Sequence, residues 1–170
     1  MLYFEGESHS VSASLFDRLG ISLGSYIDDA LMYEILEDER EYLAMKKALS
    51  ILSFGDNSRR SLRDKLCRSG FSRELAERVV FECVGRGYID EERQITRLAL
   101  YEANSSYRGK RYIVAKLARR GYSPSLVSSV IDALAKEGEI DFNENLEALS
   151  KKLGITSPEE KKKLAYKYGY

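Results

Sequence analysis

The chain has one histidine, His9, and two cysteines, Cys67 and Cys83, among its 170 residues. That scarcity excludes a disulfide framework, and the cysteine spacing is not that of a metal site. It also leaves too little material for a zinc centre, a Ser-His-Asp triad or a Cys-His dyad. No apolar run approaches the roughly 18 residues that span a membrane. The start, Met1-Leu2-Tyr3-Phe4-Glu5-Gly6-Glu7, has neither a basic n-region nor a long apolar core, so no signal peptide is read. Neither G-x-x-x-x-G-K-[ST] nor G-x-G-x-x-G occurs. A non-enzymatic protein of a reducing, cytoplasmic compartment is expected, with no catalytic residue, cofactor or metal.

Net charge is also lacking: 27 basic residues balance 27 acidic ones. The balance hides an asymmetry. Residues 1–45 carry ten acids and two bases, leaving +8 for the remainder. An acidic head on a basic body points to a polyanionic partner for the body or to a head that covers it; two solvated faces of opposite sign explain it equally well. The hydrophobic fraction of 44% is enough for a packed core.

What the chain has in abundance is repetition. Gly70-Phe71-Ser72 returns as Gly121-Tyr122-Ser123, and Gly87-Tyr88-Ile89-Asp90 as Gly138-Glu139-Ile140-Asp141, both 51 residues later. The same offset carries Leu62 to Ile113, Leu66 to Leu117, Leu75 to Leu126, Val79 to Val130 and Cys83 to Leu134. Continued again, it reaches Leu164 and Tyr168. An ungapped register of this kind marks a repeat array. The spacing inside each unit is helical: Leu75, Ala76, Val79, Val80 and Cys83 form one stripe, and Leu126, Val127, Val130, Ile131 and Leu134 its copy. Ser72, Ser123, Asp90 and Asp141 suit N-caps, and Gly87 and Gly138 suit left-handed helix ends. The first helix of the second unit carries Ile95, Leu98, Ala99 and Ala103.

The expected fold is all-α: tandem three-helix repeats over 40–90, 91–141 and an incomplete 142–170, behind an acidic N-terminal extension over 1–39. Leu2-Tyr3-Phe4, Gly6-Glu7 and Val11 admit a short β-hairpin in that extension. A short helix over Ser14–Leu19 should stop at Gly20. A longer one should run from about Asp28, burying Leu31, Ile35, Tyr42, Met45, Leu49 and Leu52. The third unit has about 22 residues fewer than the period, its glycine falls due near position 172, and Leu164 and Tyr168 are expected to be exposed by the missing cover.

The second helix of each unit is basic: Arg59, Arg60, Arg63, Lys65 and Arg68; Lys110, Arg111, Lys116, Arg119 and Arg120; Lys161, Lys162, Lys163 and Lys167. Three registers are basic in every unit, namely 59/110/161, 60/111/162 and 65/116/167. On a repeating scaffold these would align as a stripe able to neutralise phosphates or meet an acidic protein groove. The bland reading is a solvated helix face. Tyr112 and Tyr166 could stack on bases; Tyr122 and Tyr168 fall at core positions. The acids Glu37, Asp38, Glu39 and Glu41 read as a solvated face, Cys67 as a helix filler, Cys83 as core and His9 as a loop residue.

Ser61-Leu62-Arg63-Asp64-Lys65-Leu66-Cys67-Arg68-Ser69-Gly70-Phe71-Ser72, followed by Gly87-Tyr88-Ile89-Asp90-Glu91-Glu92-Arg93, resembles the RecX family of bacterial recombination regulators. Gly109-Lys110-Arg111-Tyr112-Ile113, Leu117 and Arg120-Gly121-Tyr122-Ser123 agree, as does Gly20-Ile21-Ser22-Leu23-Gly24 before an acidic helix. The likeness covers nearly the whole chain. It implies an elongated, curved array that binds the RecA filament on single-stranded DNA and inhibits its recombinase, ATPase and coprotease activities in DNA repair and the SOS response. The expected partners are RecA and single-stranded DNA, reached directly or through RecA; no membrane is implied, and the chain is expected to be a monomer. Two other readings stand beside it: a basic helical DNA-binding module or transcription regulator acting without RecA, and a protein-binding scaffold. The basic helices carry no Asn or Gln to read base edges, which favours contacts to the backbone.

Overall fold

A computed structural model of the chain describes residues 2–4, 7–9, 12–20, 22 and 24–170, with only the backbone described for 2–4, 7 and 9. The described residues are helical apart from two three-residue strands. β1 (Leu2–Phe4) pairs antiparallel with β2 (Glu7–His9), Tyr3 opposite Ser8. His9 is therefore a strand residue rather than a loop residue, while Gly6 and Val11 lie outside the described residues.

The chain divides into two compact units. The first holds residues 1–55 and 62–88. Its α1 (Ala13–Leu19) is capped by Ser12, whose hydroxyl accepts from the Leu15 N–H, and stops at left-handed Gly20. α2 (Asp29–Ser53) starts at Asp28, whose carboxylate accepts from the Leu31 N–H. Asp38 of α2 is not merely solvated: its carboxylate accepts from the Ser12 N–H at 2.6 Å and the Ser12 hydroxyl at 2.8 Å, tying α2 to the start of α1. The second half of α3 (Arg59–Arg68) and all of α4 (Arg73–Gly85) complete this unit. Every residue of the α4 stripe, Leu75 to Cys83, is buried. α2 differs from expectation. It buries Ile35, Ala44 and Ala48, whereas Tyr42 and Leu49 are exposed. α2 packs against α4 through small alanines, which allow close approach of the backbones, so the larger side chains on either side of that seam stay outside.

The second unit holds 56–61 and 89–170. It comprises the start of α3, α5 (Glu91–Leu100) with a π-helical turn over Tyr101–Ser105, α6 (Lys110–Arg119), α7 (Pro124–Lys136), α8 (Phe142–Lys152) and α9 (Pro158–Tyr168). Asp90 and Asp141 cap as expected. Ser123 does not; its hydroxyl lies beside that of Ser125. Ile95, Ala99, Ala103, Ile113, Leu117, Tyr122, Val127, Ile131, Leu134 and Ile140 form one core, with Leu126 and Val130 packed at its edge.

The third repeat is better covered than its length suggests. Leu164 is only 7% exposed and Tyr168 is half-buried, against the expectation of exposure. The glycine awaited near 172 is supplied by Gly169, which has φ +83°. No described helix is long and apolar enough to cross a membrane.

Candidate functional site

The basic helices of the second unit are joined end to end, and the joints explain their spacing. A helix leaves its last carbonyls and first N–H groups without internal partners. Here they satisfy each other. The Gly109 N–H, at the start of α6, donates to the Tyr168 carbonyl at the end of α9 (2.9 Å), and the Arg111 N–H donates to the Gly169 carbonyl (3.0 Å). The end of α6 meets the start of α3 in the same way: the Ser58 hydroxyl donates to the Arg120 carbonyl (2.9 Å) and accepts from the Ser61 N–H (3.1 Å). The negative end of one helix dipole thus faces the positive end of the next. Glycine is required at both joints. A Cβ on Gly109 would lie 2.3 Å from the Tyr170 nitrogen, and one on Gly121 would lie 2.6 Å from the Ser58 hydroxyl.

These joints decide which predicted cations face outward. Register 59/110/161 is held by carboxylates throughout. Arg59 lies 3.5 Å from Glu91, which also accepts from the Arg59 N–H; Lys110 reaches Asp132 at 2.6 Å and Lys161 reaches Glu147 at 2.8 Å. The recurrence of these bases therefore has a structural explanation. In register 65/116/167, Lys116 pairs with buried Glu102 at 2.7 Å, Lys65 is half-buried and Lys167 is exposed. Arg63 is shared between Asp64 (2.8 Å) and Glu77 (3.8 Å), and Arg68 donates to the Asp64 carbonyl.

Register 60/111/162 differs: Arg60, Arg111 and Lys162 are all exposed, as are Arg119, Arg120 and Lys167. The joint between α6 and α3 brings Arg60 beside the Arg119–Arg120 end of α6. The joint between α9 and α6 brings Arg111 beside the Lys167 end of α9. Arg119, Arg120, Lys162 and Lys167 have no ion pair among the described residues. These four cations are available to an external counter-charge.

Aromatic rings complete this surface. The Arg111 guanidinium lies 5.5 Å from the ring centre of Tyr166, which is 78% exposed and is the one tyrosine of this group open for stacking. Arg108, just ahead of α6 and absent from the sequence expectation, sits between Tyr112 (4.5 Å) and Tyr168 (4.6 Å). Tyr112 is four positions from it in sequence but Tyr168 is sixty, so this pairing is set by packing rather than by spacing. Tyr170 donates its hydroxyl to the Tyr107 carbonyl at 3.1 Å, and burial pushes its pKa up to about 12. Tyr122, pushed upward by burial as well, donates to Gln94 at 2.8 Å.

Comparison with known proteins gives this arrangement a family. The sequence family of the RecX first three-helix domain matches residues 44–83. A regulatory protein RecX from Chlorobium limicola is 30% identical over 132 residues, 76% of this chain and 80% of that protein. The chain belongs to the RecX family. A RecX from Clostridioides difficile is 29% identical over 158 residues, 93% of this chain and 73% of its own length. A crystal structure of regulatory protein RecX superposes with a TM-score of 0.72, covering 89% of this chain and 75% of that one at 19% identity, which supports the same fold.

Proposed function

We propose that this RecX-family protein is a non-enzymatic regulator that binds the RecA filament on single-stranded DNA and lowers its recombinase, ATPase and coprotease activities in DNA repair and the SOS response. The observation that carries the reading is the exposed set Arg60, Arg111 and Lys162 with Arg119, Arg120 and Lys167. Within it, register 60/111/162 is basic and exposed in every unit. A filament on DNA offers phosphates and acidic protein side chains together, and Arg supplies a planar fork suited to either. Contacts of this kind give affinity that is independent of base sequence and falls with salt. Arg63, Lys65, Arg68 and Lys116 act in support, Arg63 being shared with Asp64 and Glu77 and Lys116 with Glu102; Arg59, Lys110 and Lys161 hold the repeats in shape.

The test is ATP hydrolysis by RecA filaments during titration with the wild type and with Arg60→Glu/Arg111→Glu. The wild type is expected to lower hydrolysis, less so at higher salt. The double variant, with an unchanged circular dichroism spectrum, is expected to need at least tenfold more protein. Equal inhibition by the folded variant would refute the surface assignment. Binding to DNA that persists unchanged without RecA, with no effect on hydrolysis, would instead favour a simple DNA-binding module.

A further inference from the structure

The two helix-end joints of the second unit share one backbone device and differ in the side chains around it. Where the end of α6 meets the start of α3, the chain has Asn57, Ser61, Ala115 and Leu117. Where the end of α9 meets the start of α6, the same four registers hold Arg108, Tyr112, Tyr166 and Tyr168. Aromatic rings are therefore not what closes a joint, since the other one closes without them. Nor does Tyr166 fill the core: its register is exposed in both units, as Ala115 and as Tyr166.

The arginines at this joint rest on rings rather than on carboxylates. Arg108 lies between Tyr112 and Tyr168, and Arg111 lies over Tyr166. Neither guanidinium has an ion pair among the described residues. Tyr112 and Tyr168 are half-buried, so the Arg108 sandwich is closed. Tyr166 is open: Arg111 is the one cation over it and no second ring meets it among the described residues, which leaves ring surface for a planar partner. Lys162 lies one helical turn earlier on the same face of α9, exposed and without an ion pair among the described residues. An open ring with one cation over it and another beside it offers stacking to a base and charge to the neighbouring phosphates. In a duplex the base faces are already stacked on one another, so such a ring selects a single strand.

We propose, building on the filament reading above, that Tyr166 is a stacking platform for a base of single-stranded DNA, with Arg111 and Lys162 holding the adjacent phosphates. The chain then touches the strand itself and not only RecA. Stacking of this kind tolerates any sequence, because every base has a π-face. It distinguishes a base from no base, not one base from another.

Anisotropy of a labelled oligothymidylate and of an abasic strand of the same length, each titrated with the full chain in the absence of RecA, tests this. The wild type is expected to bind the oligothymidylate at least about fivefold more tightly, which one stacked base supplies. Tyr166→Phe is expected to keep that preference. Tyr166→Leu is expected to lose it while binding the abasic strand as the wild type does, with an unchanged salt slope; a loss confined to the strand with bases cannot come from damaged folding. Arg111→Gln is expected to weaken binding to both strands and to make the salt slope shallower. Equal wild-type affinity for the two strands, no binding of either at low salt, or a preference retained by Tyr166→Leu would overturn the proposal. So would a Tyr166→Leu loss seen only with RecA filaments, which would give the ring to the protein. Because RecA is absent from the oligonucleotide titrations, failure of filament regulation shows separately, as ATP hydrolysis that the wild type does not lower.

Discussion

At the scale of single residues, the polar groups inside the second unit are few and individually accountable. Gln94 is buried and accepts from the Tyr122 hydroxyl. Tyr122→Phe removes that donor while keeping the ring, and leaves a buried carbonyl unsatisfied. A loss of about 1–2 kcal/mol is expected in urea denaturation. Tyr170 gives a pH signature. Its folded pKa of about 12 stands above the ordinary value of 10.0, so the fold favours the neutral phenol. Its contribution is complete below the ordinary value and is lost as pH rises towards about 12. Tyr170→Phe should delete the most retarded phenolate step in an ultraviolet titration; an unchanged step would contradict the assignment. The cysteines differ in kind: burial pushes the Cys83 thiol up, and Cys67 is only half-buried on α3. One thiol per chain is expected to react with a disulfide reagent under native conditions and two on unfolding. The burial of Cys83 was legible because it shares a register with Leu134. The partners of Lys116 and Lys110 were not, since they come from residues 14 and 22 positions away, set by packing rather than by spacing.

At the scale of elements, helix starts and stops were the most legible feature. Ser72, Asp90 and Asp141 cap through their side chains, and Gly87 and Gly138 carry φ of +73° and +79°. These are local signals, fixed within a few residues of chain. The buried face of α2 was not legible in the same way. Its seam rests on Ala44 and Ala48, and periodicity weights the larger Tyr42 and Leu49 instead. The joints were also missed, because a glycine at a helix start reads as a weak cap when its purpose is room for another backbone. Gly109 has φ −77°, so alanine fits its backbone conformation, and the clash with Gly169 and Tyr170 is the only obstacle. Gly109→Ala is therefore expected to cost about 1–3 kcal/mol. It should also speed amide hydrogen exchange in α9 more than in α7. Uniform exchange in the two helices would mean that the joint does not hold α9.

At the scale of the whole molecule, the zero net charge conceals a division of labour. The sequence showed a basic second helix in every repeat and could not say which of its cations are spent internally. Geometry separates them: 59/110/161 are matched by Glu91, Asp132 and Glu147, while 60/111/162 stay exposed. The distinction was out of reach of a single sequence because all three registers look alike as Lys and Arg. It yields a contrast that total charge cannot. Lys110→Gln removes the same charge as Arg111→Gln, yet it should lower stability while leaving filament binding nearly unchanged, and Arg111→Gln should do the reverse; thermal melts read against binding curves check this.

The most direct measurement is the fluorescence anisotropy of the labelled chain titrated with preformed RecA–single-stranded DNA filaments at several salt concentrations, for the wild type and Arg60→Glu/Arg111→Glu. The expected result is salt-sensitive binding by the wild type, with a shallower logarithmic salt slope and at least tenfold weaker affinity in the folded variant. Binding of equal strength and equal salt dependence in both proteins would contradict the assignment of Arg60 and Arg111 to the contact surface.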